Sequence, residues 1–159
     1  MASSLTSLTA RVESLLMDGS NLVFDTGTIA EGIHSALGEF NLARETAGLA
    51  AVTLDGLDGA AATTLSANHD SVIVLGAAGY ATAARSADRA ESFEIGQEAA
   101  EHLSWSEKRL LEFRAMLGAL YPTYTDPSAR ARAAEAARVA GLRTTTNQPW
   151  AAWVDEELS

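Results

Sequence analysis

Cysteine is absent from this chain of 159 residues. Disulfides, thiol nucleophiles and cysteine metal sites are therefore excluded, and the absence fits a reducing cytoplasm. Basic residues are scarce: 11 Lys and Arg stand against 21 Asp and Glu, for a net charge of −10. Nucleic acid and anionic membrane both reward cationic surface, so general affinity for either is not expected. No run of about 18 apolar residues could span a bilayer. Met1–Thr6 has neither the basic region nor the apolar run of a secretory leader, so none is expected there. Aromatic residues make up only 6%, which makes the position of each Trp informative.

What the chain does have is alanine. It dominates a hydrophobic fraction of 47% and implies closely packed helices with few bulky anchors. One domain with an appended tail is expected from the length. The charge is uneven. Residues 1–105 hold 14 acids and 4 bases, residues 106–143 hold 4 acids and 7 bases, and residues 144–159 hold 3 acids and no base. Such polarity suits head-to-tail contact between copies, or it is the ordinary solvated face of a helix.

Leu5, Leu8, Val12, Leu15 and Leu16 recur at helical spacing behind Ser3 and Ser4 as cap candidates. Asp18-Gly19-Ser20-Asn21 ends that helix. Thr28 and Glu31 have capping-box spacing, and Ile29, Ile33, Ala36, Leu37 and Phe40 carry a second helix to about Arg44. Gly32 and Gly38 inside it suggest close approach of a neighbour. The Asp-Gly pairs in Leu54-Asp55-Gly56-Leu57-Asp58-Gly59 predict a small β-hairpin or tight loop. Asn68-His69-Asp70 then caps a long Ala- and Gly-rich helix reaching about Phe93. After a break at Ile95-Gly96, helix resumes from Gln97, and the capping-box spacing of Ser104 and Glu107 either restarts the helix or decorates one long helix. Leu110, Leu111, Phe113, Leu117 and Leu120 continue the helix to Tyr121-Pro122. Asp126-Pro127 opens a fifth helix over Ser128 to Val139, which Gly141 stops. The expected fold is mainly α: a compact bundle of about five helices over residues 1–143, a small β-hairpin or loop insertion, and an extended C-terminal arm over 144–159.

That arm holds Trp150 and Trp153, two of the three tryptophans, followed by Val154, Asp155, Glu156, Glu157 and Leu158. Large aromatics at a chain end need a surface to bury against, on the parent domain or on a partner.

No catalytic constellation stands out. His34, His69 and His102 are the only histidines, and Glu98 with His102 forms one helical pair. A di-metal helical site needs Glu-x-x-His pairs on two helices and further Glu residues, so neither a metal nor a catalytic residue is assigned. Gly76-Ala77-Ala78-Gly79 lacks the Lys-Ser/Thr of a phosphate loop, and Asp55 and Asp58 lack the alternating acids of a calcium loop. No cofactor is expected.

The order of elements resembles the head-tail connector, or adaptor, proteins of tailed bacteriophages. The features carrying the resemblance are the helix Leu5 to Leu16, the stretch Asp25 to Phe40, the Ala- and Gly-rich helix Val72 to Ala84, the helix Trp105 to Leu120 with Tyr121-Pro122, and the polar arm. The resemblance implies a non-enzymatic virion protein of the phage neck, assembled in the host cytoplasm. It would form a homo-oligomeric ring, usually a dodecamer, between the portal protein and a tail-side neck or tail protein. DNA would pass non-specifically through the channel, and no membrane would be involved. On this resemblance Trp150, Trp153, Val154, Asp155, Glu156, Glu157 and Leu158 are portal-binding residues. Asp55, Gly56, Leu57 and Asp58 contact the next ring or neighbour, and Arg130, Arg132 and Arg138 are intersubunit or channel basic residues. A non-viral helical adaptor or regulatory protein, or a small helical metal-binding protein, is the alternative.

Overall fold

The computed structural model describes residues 3–19, 23–91, 97–126 and 137–138. By its contacts the chain divides into two compact units, Met1–Tyr124 and Thr125–Ser159. The first contains four α-helices: α1 (Leu5–Leu16), α2 (Thr26–Thr46), α3 (Asp70–Glu91) and α4 (Gln97–Leu120), with a short 3₁₀ turn at Ala67–His69 before α3. The fifth helix expected at Ser128 to Val139 lies mostly outside the described residues, as do the break at Ile95-Gly96 and the arm from residue 144.

Local chemistry sets the helix ends. Ser4 caps α1, its side chain accepting from the Ser7 amide. At the other end Met17 turns left-handed (φ 57°), and the Asp18 amide closes onto the Glu13 carbonyl at 3.0 Å. The Asp18 carboxylate then accepts from the Val23 and Phe24 amides at 3.0 and 2.7 Å. The cap of α2 is Asp25, not Thr28: both the amide and the hydroxyl of Thr28 donate to Asp25, at 2.9 and 2.8 Å. Those bonds, the amide first and the hydroxyl second, hold the Asp25 carboxyl below its usual range. A charged acceptor takes the orphan amides in preference to a hydroxyl. Ser104 caps nothing, because α4 runs unbroken through it.

α3 is central and packs against α1, α2 and α4. Leu8, Val12, Ile29, Ile33, Phe40, Ile73, Phe113 and Leu117 are fully buried among its alanines Ala77, Ala78 and Ala81. Two buried hydroxyls on α3 are satisfied within the helix, Thr82 donating to the Ala78 carbonyl and Ser86 to that of Thr82. Small residues permit the close packing. A Cβ at Gly32 would sit 2.6 Å from the Ala77 carbonyl oxygen, so α2 crosses α3 backbone against backbone there. Gly38 has open space around it and no such role.

The expected β-hairpin at residues 54–59 does not form, and no strand occurs among the described residues. Side chains replace the ladder. The Thr53 amide donates to the Thr64 hydroxyl (2.8 Å), and the Thr64 amide returns a bond to the Thr53 carbonyl (3.0 Å). Asn41 grips Val52 like a neighbouring strand, its carbonyl accepting from the Val52 amide at 2.8 Å and its amide donating to the Val52 carbonyl at 2.9 Å.

Gly32→Ala should destabilise the unit by about 2–3 kcal/mol, since a methyl forced against backbone must push α2 and α3 apart. Thermal unfolding of the two proteins measures this; an unchanged midpoint would contradict the close crossing.

Candidate interaction site

Leu54 and Leu57 anchor the 54–60 loop, both buried, while Asp55, Gly56, Asp58 and Gly59 face outward. Two successive turns and a bond across the loop fix it. The Leu57 amide bonds to the Leu54 carbonyl, Ala60 to Leu57, and Gly56 to Ala60, at 3.0, 2.9 and 3.2 Å. Gly56 and Asp58 take left-handed conformations (φ 83° and 53°). Such a φ suits glycine and is tolerated by aspartate better than by most residues. The Asp55 amide donates to the Thr63 hydroxyl at 2.9 Å. Asp58 reaches α2, 3.2 Å from His34 Nε2, while His34 Nδ1 lies 3.7 Å from Glu31. Of the four residues read as a neighbour contact, Asp55, Gly56 and Asp58 are thus open on a constrained tip. Leu57 is the tip's internal anchor.

A second feature lies inside the bundle. Glu39 on α2 has a side chain only 8% exposed. Its carboxylate accepts from the Tyr80 phenol of α3, the Tyr124 phenol just beyond α4, and Arg114 Nε of α4 at 2.9 Å. Burial first, and the hydrogen bond to Glu39 second, push the Tyr80 phenol up to about 12. Burial works against the Arg114 charge, but the hydrogen bond and the negative charge of Glu39 outweigh it and hold the guanidinium firmly protonated. The group has no open acceptor chemistry; it ties three elements together. Nothing in the sequence motifs singled it out. The available signal was an acid within the stripe Ala36, Leu37, Phe40 and Ala43, where a charge needs partners.

A third feature is an open groove of about 480 Å³ lined by Leu15, Leu16, Met17, Phe24, Thr82, Glu101, His102, Trp105 and Arg109. Trp105 lies under the Arg109 guanidinium, 5.0 Å from ring centroid to carbon, and Arg109 pairs with Glu112 at 2.8 Å. Met17, 94% exposed, stands at the groove's edge. Further along α4, Leu111, Met116 and Leu120 are open to solvent.

The histidines do not converge on one chemistry. His34 meets Asp58, His69 stands 5.1 Å from the Phe40 ring, and His102 lines the groove. Among the described residues no group of three or more His, Asp or Glu could hold a metal ion. Nor, among them, is any helix long and apolar enough to cross a membrane. Trp150, Trp153, Val154, Asp155, Glu156, Glu157, Leu158, Arg130 and Arg132 lie outside the described residues; Arg138 is exposed. No protein-family model, no curated protein and no solved structure matches the chain.

Glu39→Ala should cost about 2 kcal/mol, because it takes the shared carboxylate away from a partly buried guanidinium and two phenols. Adding Arg114→Met should recover part of that loss in a double-mutant cycle of denaturant midpoints; additive losses would contradict the tie. The raised Tyr80 phenol adds an alkaline signature. The folded state holds this proton more tightly than the unfolded chain, so the contribution is complete below about pH 10 and is lost as pH rises towards about 12. Melting temperatures from pH 8 to 12 should fall less steeply for Tyr80→Phe than for the parent, and parallel curves would refute the assignment.

Proposed function

We propose that this chain is a structural assembly subunit: a head-to-tail connector of a tailed bacteriophage, forming a ring in the virion neck between the portal protein and a tail-side protein. The observation that carries the reading is the mismatch between a well-filled interior and an apolar exterior. Phe40, Phe113 and Ile33 are fully buried, yet Met17, Leu103, Leu111, Met116 and Leu120 are left open on the same unit. Open apolar side chains are ordinary singly, but Leu15 and Met17 stand exposed together on the groove beside Trp105, which suits a surface that meets another protein. The constrained, outward-facing Asp55, Gly56 and Asp58 suit a contact that must be presented in one shape. The acidic residues 1–105 and the basic excess of 106–143 favour unlike surfaces meeting, which closes a ring when the rotation allows. In this reading the segment with Trp150 and Trp153 docks on the portal, and the protein catalyses nothing.

Solution mass tests this. The full chain, alone or with a purified phage portal ring, should assemble about a dozen copies, and Trp150→Ala with Trp153→Ala in the full chain should reduce portal-dependent assembly at least tenfold. A monomer indifferent to portal rings would overturn the connector reading. A small oligomer indifferent to them would favour the non-viral adaptor.

A further inference from the structure

α1 and α4 both pack on α2 and α3, but among the described residues they do not pack on each other. The gap between them, with Thr82 of α3 in its lining, is the open groove of about 480 Å³. Its α1 wall ends in Met17, exposed and held in the left-handed conformation that favours glycine. An apolar side chain is thus presented to solvent, from a strained position, beside an apolar hollow. The α4 wall is a single stripe. Glu101, Trp105 and Arg109 recur every four residues and share one face of the helix. Glu101 and Arg109 stand about 6 Å along the axis from Trp105, in opposite directions. Arg109 is under-used in the single chain: Nη1 donates to Glu112 at 2.8 Å, while Nε has no hydrogen-bond partner.

We propose that this groove is a self-association site, taking the same groove of a second copy across a two-fold axis at Trp105, with the two α4 helices antiparallel. The order of charges makes the patch complementary to itself. An antiparallel two-fold centred on residue 105 sets Glu101 against the partner's Arg109, and Arg109 against the partner's Glu101. A parallel alignment would set like against like. Each Met17 enters the partner's groove, where a flexible thioether packs against Trp105 and gains the burial it lacks in the single chain. The net charge of −10 opposes association at long range, and two unlike pairs at the contact offset it locally. The groove is small beside a standard interface, so pairing follows concentration. A two-fold contact closes at two copies. It rests neither on the ring reading nor on residues 125–159.

Sedimentation equilibrium of the full chain, without portal, from about 1 to 200 µM tests it. The mass should rise towards that of two chains; the mass of one chain throughout would overturn the pairing. Glu101→Arg and Arg109→Glu, each alone, should weaken association about tenfold or more, because each sets like charges together twice. Mixed in equal amounts, the two variants should pair with each other as the parent does, since each supplies the charge the other lacks. Failure to pair in the mixture would overturn the two-fold, as would single variants that associate like the parent. A ring of about a dozen copies whose mass ignores both reversals would keep the ring reading and overturn this one. Met17→Gly gives an independent arm, because its backbone already suits glycine and the fold is retained. It should weaken association about fivefold or more, and an unchanged affinity would count against the proposal in the same way. Far-ultraviolet circular dichroism of every variant confirms that the helices are intact.

Discussion

A carboxylate inside a bundle of alanines has to be answered, and the answer at Glu39 organises this unit. Stripping water from a charge costs far more than a single weak contact returns, so the group survives in place only when several donors converge on it. Here the donors come from α3, from α4 and from the segment after α4. Each must arrive at the right height and rotation for the carboxylate to be satisfied. One side chain on α2 therefore constrains three other parts of the chain.

The need for such a constraint follows from the composition. Ala77, Ala78 and Ala81 give α3 a smooth face, and Gly32 lets α2 come within backbone contact of it. Smooth faces pack densely but hold one another's rotation weakly, because no large side chain blocks the neighbouring registers. Bulky anchors such as Phe40 and Phe113 supply part of the missing information. Polar ties supply the rest. Asp70 binds Ser3 and Arg11 of the α1 region, Asn41 binds Val52, and Arg44 binds Ala50 and Tyr121. Surface ion pairs such as Arg85 with Asp88 add little by comparison.

Much of this was legible in the sequence, and the reasons it stopped are specific. The helices over 5–16, the late twenties to the forties, 70–91 and 97–120 follow directly from apolar periodicity, because burial of one face per helix leaves a 3.6-residue signature. Their starts were less legible. Thr28 with Glu31 has capping-box spacing, but Asp25 three residues earlier is the stronger acceptor, and spacing alone does not rank competitors. The stretch 47–65 reads as a hairpin or a tight loop because Asp-Gly pairs are the usual hairpin turn signal, and the structure has the loop. The partners that actually hold it, Asn41 and the Thr53–Thr64 pair, act through side chains at separations that local patterns do not encode. Glu39 was invisible for the same reason: its donors lie 41, 75 and 85 residues away.

The open surface has a physical counterpart in that interior. The core mixes alanines such as Ala77, Ala78 and Ala81 with large side chains such as Ile33, Phe40 and Phe113. Placing Met17, Leu103, Leu111, Met116 and Leu120 outside forgoes burial that a solitary domain would use. Such an arrangement is sustainable because the polar ties already specify the fold. In the proposed assembly the exposed apolar residues serve the contacts between subunits. A constrained loop tip at Asp55–Asp58 and an open groove beside Trp105 belong to the same division of labour. The inside is fixed by charge and hydrogen bonds, and the outside retains the apolar area that association can bury.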